Sequence, residues 1–344
     1  MSAEMSGSAS SEVDAAELRR GFAGRHVLIT GGLGFVGSNL ARELVDLDAI
    51  VTVVDSLVPE YGGNTFNLGG LEGRIRINIS DVRDPYSIAY LVQGQEYLFN
   101  LAGQTSHLDS MSDPFTDLAI NCTAQLSILE ACRNHNPEIR VVFASTRQFY
   151  GRPEYLPVDE RHPLHPVDVN GVNKMAGEWY HTLYHEVYGI RTASLRLTNT
   201  YGPRMRVRDA RQTFLGVWIR RVLEGEPFEV WQGDQLRDFT YVDDAVEALL
   251  LAAAHPAAVG KTYNLGGLET VNLVDVAKVL SALQPGSRYE VKDFPAERKR
   301  IDIGSFYSDY RHIARELGWR PCVPLDEGLA RTLDFYRAHL ARYV

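Results

Sequence analysis

Three glycines, Gly32, Gly34 and Gly37, lie within Thr30-Gly31-Gly32-Leu33-Gly34-Phe35-Val36-Gly37 at the spacing that lets a polypeptide backbone approach a pyrophosphate. One makes a tight turn, one admits the phosphates, and one lets a helix pack against a strand. The run His26-Val27-Leu28-Ile29 before them has strand length, and Leu40, Leu44 and Val45 after them recur at helical spacing. The first turn of that helix, from Gly34 through Phe35 and Val36 to Gly37, leaves N–H groups free for a phosphate. A second β-branched run, Val51-Thr52-Val53-Val54, ends in Asp55 about 20 residues on, where a ribose hydroxyl needs an acceptor. Ser56 and Leu57 follow, with no arginine for a 2′-phosphate, so the coenzyme these residues specify is NAD and not NADP.

Other positions extend the coenzyme site from Gly31 along the chain. Arg74 to Ile79 alternates as a strand that closes at Asp81 and Val82. Asp81 suits two roles, acceptor for an adenine amino group or turn cap. Tyr97-Leu98-Phe99-Asn100-Leu101-Ala102-Gly103 reads as a buried strand, and its end at Leu101, Ala102 and Gly103 is expected beside the nicotinamide half of the dinucleotide. Arg204, Arg206, Arg208 and Arg211 crowd one loop, either a clamp or a lid for an anionic ligand.

With 344 residues, 45% of them hydrophobic and 23% charged, the chain is of a globular kind with a large core. Its net charge of −9 argues against a nucleic-acid partner. Cys122, Cys132 and Cys322 have no metal-ligand spacing and no complete disulfide scheme, which fits a reducing cytoplasm and no metal site. No apolar run is long enough to span a bilayer, and Met1 to Ser11 lacks the apolar middle of a secretory signal.

The elements that must position these residues alternate. Residues 1–24 read as a loose tail with a short helix from Glu12 to Phe22. Leu57 to Gly73 is too broken by glycine for regular structure. Pro114 to Cys132 reads as a helix that Asn121 interrupts, Arg140 to Ser145 as a strand, Gly171 to Tyr188 as a helix and Ala193 to Leu197 as a strand. The long helix carries Trp179, Leu183, Tyr184 and Val187 as an apolar stripe, facing either the core or the same helix of a second subunit. Helices are also expected at Phe214 to Leu223, Asp243 to Ala254, and around 273–283, 309–317 and 326–340, with Phe228 to Trp231 and Lys261 to Leu265 as strands. The pattern predicts a doubly wound parallel α/β sheet of the Rossmann type over 25–200, to which 241–267 returns. Residues 201–240 and 268–344 then form a smaller α/β lobe.

Five stretches resemble a known family: Thr30 to Gly37, Ala144-Ser145-Thr146-Arg147-Gln148-Phe149-Tyr150-Gly151, Lys174-Met175-Ala176-Gly177-Glu178, Leu197-Thr198-Asn199-Thr200-Tyr201-Gly202-Pro203 and Arg237-Asp238-Phe239-Thr240-Tyr241-Val242-Asp243-Asp244. In this order they are similar to the extended short-chain dehydrogenases that act on nucleotide sugars. That resemblance implies that Lys174 holds the nicotinamide ribose and Thr146 the sugar hydroxyl being oxidised. It further implies a nucleotide-diphosphate sugar as partner: Asn199 touches its phosphate, Arg237 and Arg298 neutralise the diphosphate, and Trp231 borders its base; Gln104 and Arg211 are further candidate substrate contacts. A homodimer and a nucleotide-sugar epimerase of the UDP-glucose 4-epimerase kind are what it implies for assembly and activity.

One departure bears on mechanism. Where the family's helix opens Tyr-Gly-x-Ser-Lys with the tyrosine as acid/base, this chain reads Asn170-Gly171-Val172-Asn173-Lys174. An amide does not ionise usefully near neutral pH, so Asn170 sits at the catalytic position without serving as a base. Tyr150, Asp168, His107 and Asp109 are the ionisable candidates to replace it. The likeness of Leu101-Ala102-Gly103-Gln104 to CDP-tyvelose 2-epimerases leaves a different reacting carbon open, as does a decarboxylase. A dehydratase would need the family's Asp-Glu pair where Arg147-Gln148 stands. A non-catalytic NAD-binding protein is the alternative outside enzymes.

Overall fold

The computed structural model describes residues 15–294 and 302–344, so Arg298 lies outside the described residues. The helix α1 (Ala15–Phe22) leads into β1 (His26–Thr30), α2 (Phe35–Asp46), β2 (Ile50–Asp55), β3 (Ile75–Ile79), α3 (Pro85–Leu91) and β4 (Tyr97–Asn100). Then come α4 (His107–Ser112), α5 (Pro114–Leu118), α6 (Ala124–His135), β5 (Arg140–Thr146), α7 (Val169–Tyr188), β6 (Arg191–Leu197) and β7 (Asn199–Tyr201). The remainder holds α8 (Phe214–Glu224), β8 (Phe228–Trp231), β9 (Leu236–Tyr241), α9 (Val242–Ala254), β10 (Lys261–Asn264), β11 (Thr270–Asn272), α10 (Leu273–Leu283), β12 (Tyr289–Lys292), α11 (Arg311–Leu317) and α12 (Leu325–His339).

Seven strands form one parallel sheet in the order β10-β6-β5-β4-β1-β2-β3. Successive residues of each strand supply opposite faces, which is why the central β1 and β4, buried on both sides, are almost wholly apolar, whereas the edge strand β3 carries Arg76 and Asn78. Val27 and Ile29 of β1 join the core under α2 and α9, whereas Leu28 joins the core under α3, α6 and α7. The strand order reverses between β1 and β4, and the crevice opens beyond the carboxyl ends of that pair. The smaller sheets, β11-β9-β7 and β12-β8, flank it.

Two glycines are required by close approach. A Cβ at Gly37 would lie 2.3 Å from the Gly31 carbonyl oxygen, so only glycine lets α2 start this near β1. Gly31 itself has φ of +69° and packs against the Ala102 backbone.

Several expected elements differ. The strand expected over 97–103 stops at Asn100, because the amides of Leu101 and Ala102 donate to Thr30 Oγ1 (3.1 Å each) and leave the ladder. The helix over 114–132 is split by a π turn, Ala119–Thr123, in which the Asn121 side chain reaches across to Gln104 and Asp117. Leu57 to Gly73 contains two single 3₁₀ turns, Pro59–Tyr61 and Thr65–Leu68. Strands β9, β11 and β12 and helix α4 had no sequence signal strong enough to place them.

On α7 the apolar stripe divides. Tyr184 is buried, whereas Trp179, Leu183 and Val187 are exposed (58%, 47% and 59%), as are Phe115 and Leu118 beside the start of α6 (80% and 40%). Among the described residues no helix is long and apolar enough to cross a membrane.

A buried ion pair anchors α7 to the sheet. Glu178 accepts from Ser145 Oγ of β5 (2.5 Å) and from Arg196 Nη2 of β6 (2.5 Å). Replacing Arg196 by Met leaves Glu178 buried without its cation and is expected to remove about 3–5 kcal/mol of stability. The urea-unfolding midpoint tests this, and an unshifted midpoint would refute it.

Candidate active site

A cleft of about 980 Å³ runs along the carboxyl edge of the sheet, lined by the glycine turn at one end and by Trp231, Arg237 and Phe294 at the other. Gly31, Gly34, Phe35, Val36, Gly37, Asp55, Asp81, Val82, Leu101, Ala102 and Gly103 all lie on its wall. No side chain caps the start of α2, so its first N–H groups point out unbonded at a place where a phosphate fits. The Asp55 carboxylate accepts from Leu33 N (3.0 Å) and Leu57 N (2.9 Å), and burial nevertheless pushes its pKa up. It therefore ends β2 as a fixed acceptor with lone pairs left for ribose hydroxyls. These residues fit an adenine dinucleotide. Asp81 is engaged by Arg83 (Nη2 at 2.6 Å), which holds its carboxyl below the usual range, so the structure favours its turn role.

Deeper in the cleft, β5 ends at Thr146, whose Oγ1 accepts from Gln148 N (3.1 Å). Lys174, one helical turn after Asn170 on α7, donates from Nζ to the Ala144 carbonyl (2.7 Å) and lies 4.6 Å above the Phe143 ring. Burial pushes its pKa down to about 8.

The structure explains the asparagine at 170. One N–H of its amide donates to the Gln104 carbonyl (2.8 Å) and the other to Asp117 Oδ2 (3.0 Å). Asn173 Nδ2 donates to the other oxygen of Asp117 (2.8 Å), and Asn121 Nδ2 adds a third bond (3.0 Å). Asp117 is fully buried, and nothing in the sequence singled it out. Its pairing with positions 170 and 173 joins segments more than 50 residues apart.

Among the four ionisable candidates, the geometry separates the roles. The expectation for Tyr150 is corrected: its ring is buried behind the cleft wall, its hydroxyl donates to Asn264 Oδ1 (2.8 Å) and accepts from Arg196, and burial pushes its pKa up to about 12. Asp109 is held by Arg211 Nε (2.7 Å). His107 opens α4 on the cleft wall, 42% of its side chain exposed, with Nδ1 2.9 Å from Asp168 Oδ2. Asp168 caps α7 through Gly171 N (2.7 Å) and accepts from Gln148 Nε2 (2.9 Å). Burial opposes its ionisation, yet His107 and these donors hold its carboxyl below the usual range.

At the far end, Arg237 is buried, donates to the Leu236 carbonyl (2.9 Å) and that of Gly304, and lies 3.7 Å from Asp302. Asn199 Nδ2 donates to the Asp238 carbonyl (2.9 Å). The Trp231 ring meets Phe294 at 5.9 Å, and its indole N–H donates to Glu229 (3.1 Å). Gln104 Nε2 donates to the Ser106 carbonyl (3.0 Å), and its Oε1 is buried with no partner among the described residues. The arginine loop is stitched in place: Arg206 and Arg211 share Asp209, and Arg204 donates to Asn39 Oδ1 (2.7 Å). Cys122, Cys132 and Cys322 form no disulfide, and among the described residues no cluster could hold a metal.

Residues 27–266 match the model of the NAD dependent epimerase/dehydratase family. A putative UDP-glucose 4-epimerase of Methanocaldococcus jannaschii is 33% identical over 319 residues, covering 90% of this chain and 98% of that protein. A dTDP-glucose 4,6-dehydratase of Actinoplanes sp. is 32% identical over 328 residues, covering 91% of this chain and 98% of its own. Among solved structures, the UDP-glucose 4-epimerase of Thermus thermophilus in complex with NAD superposes with a TM-score of 0.80 at 29% identity, over 91% of this chain and 99% of that one.

The buried Lys174 gives a pH signature. In the nucleotide-free protein the folded state loses this proton near pH 8, while the unfolded chain keeps it to the ordinary value of 10.5. Between these values the unfolded state binds more protons, so Lys174 makes stability rise with pH. Urea unfolding at about pH 7 and about pH 10 should show the wild type gaining on Lys174→Met over that interval. Parallel profiles would overturn the assignment.

Proposed function

The chain belongs to the NAD-dependent epimerase/dehydratase family, and from that footing we propose that it is a nucleotide-sugar epimerase of the UDP-glucose 4-epimerase kind, with the acid/base role moved to His107. In this reading 25–200 with 241–267 hold the coenzyme, and 201–240 with 268–344 hold the nucleotide sugar. The observation that carries it is one cleft in which Lys174, Thr146 and a carboxylate-backed imidazole all line the wall beyond the glycine turn.

Bound NAD supplies reversible hydride exchange with a ring carbon, which converts a carbinol to a ketone and back. Thr146 Oγ1 positions the hydroxyl of that carbon, and Lys174, beside Gly103, orients the nicotinamide ribose. His107 Nε2 takes the hydroxyl proton as the carbon is oxidised and returns it on reduction. Asp168 Oδ2, 2.9 Å from Nδ1, backs the ring and fixes its orientation for that exchange. Asn170, with both N–H groups engaged, positions α7. Asn199, Arg211, Arg237 and Arg298 act on the diphosphate, Gln104 on the sugar and Trp231 at the base. Dehydration is disfavoured because positions 147 and 148 carry no carboxyl group.

The purified, NAD-loaded protein mixed with UDP-, dTDP-, GDP- and CDP-sugars should exchange ring hydrogens and yield an epimer by NMR. The carbon that exchanges, and loss of water or CO₂, would identify a 2-epimerase, dehydratase or decarboxylase instead, and no change across the panel would mark a non-catalytic binder. His107→Gln should lower turnover about 100-fold or more while NAD stays bound. A rate equal to wild type would return the base to another residue.

We also infer a homodimer through α7 and the α5–α6 segment, supported by their exposed aromatic and aliphatic side chains. Sedimentation velocity should show a dimer that Trp179→Glu converts to monomer. A monomeric wild type would sink the idea.

A further inference from the structure

Arg147 follows Thr146 directly and lines the same cleft. Its guanidinium carbon lies 4.8 Å over the Phe306 ring, and Nη2 donates to Asn199 Oδ1 (3.1 Å). Nη1 is buried and has no hydrogen-bond partner among the described residues. The other arginines of the cleft differ in this respect. Arg211 has Asp109 and Asp209, and Arg237 has Asp302 and two backbone carbonyls. No carboxylate among the described residues comes within ion-pair reach of Arg147. Asp238, whose oxygens accept from Thr198 Oγ1 (2.6 Å) and Ser308 N (2.9 Å), and Asp302 act on Arg147 only from beyond ion-pair distance.

A half-buried cation whose Nη1 has no acceptor is costly, and here burial and the neighbouring Arg237 push the Arg147 pKa down to about 10. A ligand anion would remove that cost. The guanidinium is held flat by Phe306 and Asn199, and a planar fork matches a carboxylate through two parallel hydrogen bonds. Its neighbour in the chain is the threonine whose hydroxyl the reading above places at the reacting carbon, so an anion at this fork lies on the sugar ring side of the cleft.

We propose that Arg147 binds a carboxylate carried by the sugar, so that the substrate is a nucleoside-diphosphate uronic acid and not a neutral hexose. This rests on the nucleotide-sugar reading given above, and it adds a substrate class that Arg237 and Arg211 alone do not specify. The competing source of negative charge is the diphosphate itself.

Calorimetric titration of the NAD-loaded protein with UDP, UDP-glucose, UDP-glucuronic acid and UDP-galacturonic acid separates the two. One of the uronic acids is expected to bind about tenfold or more tighter than UDP-glucose, as a charge-assisted hydrogen bond to a buried partner implies. Arg147→Met should erase that preference while leaving UDP and UDP-glucose affinities within about twofold. Arg147→Lys, which keeps the charge but not the fork, should fall between. Unchanged NAD content and UDP affinity show that the variants are folded. A wild type that does not prefer the uronic acids would overturn the proposal, as would equal losses for UDP and the uronic acids, which would assign the fork to the diphosphate. If none of the four ligands binds the wild type, the nucleotide-sugar reading itself falls, and this inference with it.

Discussion

The carboxylate of Asp117 is fully buried, and the amides of Asn121, Asn170 and Asn173 donate to it. A charge removed from water survives only with good donors on both oxygens, and removing one would strand it at a cost of several kcal/mol. Much of the cleft follows from meeting that requirement. Asn121 must sit in a widened turn, Asn170 and Asn173 must share one face of α7, and the Gln104 carbonyl must close the circle. Position 170 is thereby tied to an amide. A phenol has one O–H to give, whereas this site uses two N–H groups, one to Gln104 and one to Asp117. Asn170 thus completes a buried network, and the proposed imidazole stands on the other side of Asp168, two residues before Asn170 in the chain.

The glycine turn, the acidic end of β2 and the alternation of strands and helices were legible because each is local. A helix must start where Phe35 follows the glycine turn Gly31-Gly32-Leu33-Gly34, and a strand buried on both faces must read as a continuous apolar run. Even the return of Lys261–Asn264 to the main sheet showed as a short strand after an alanine-rich helix. What the sequence could not show is long-range. Tyr150 lies four positions after Thr146, and strand-end logic placed it at the sugar. A 3₁₀ turn over Gln148–Tyr150 carries it into a small core with Val158, Ile303 and Phe306, where Arg196 and Asn264 engage its hydroxyl.

The polar residues of the cleft illustrate the same limit. Asn121 was visible as an interruption in an apolar helix, yet its partner Asp117, one turn earlier, looked like an ordinary surface acid. His107 and Asp168 were both on the sequence as ionisable groups, but 61 positions apart in numbering nothing marked them as neighbours; the fold makes them so at 2.9 Å. Arg147 stands out in the sequence only for the carboxyl pair it replaces, and its unpartnered Nη1 is a property of packing.

The arginine loop and the cleft floor are held by electrostatics of different kinds. Arg211 spans from its loop to Asp109 on α4, both side chains about one-third exposed (38% and 34%). Such a pair lies open to counter-ions, whose screening length shrinks to roughly 3 Å at 1 M ionic strength. Glu178 and Arg196 are shielded from that atmosphere. Rising ionic strength therefore loosens the mouth of the cleft while its base stays rigid, so the protein carries a salt-responsive rim on a salt-indifferent frame.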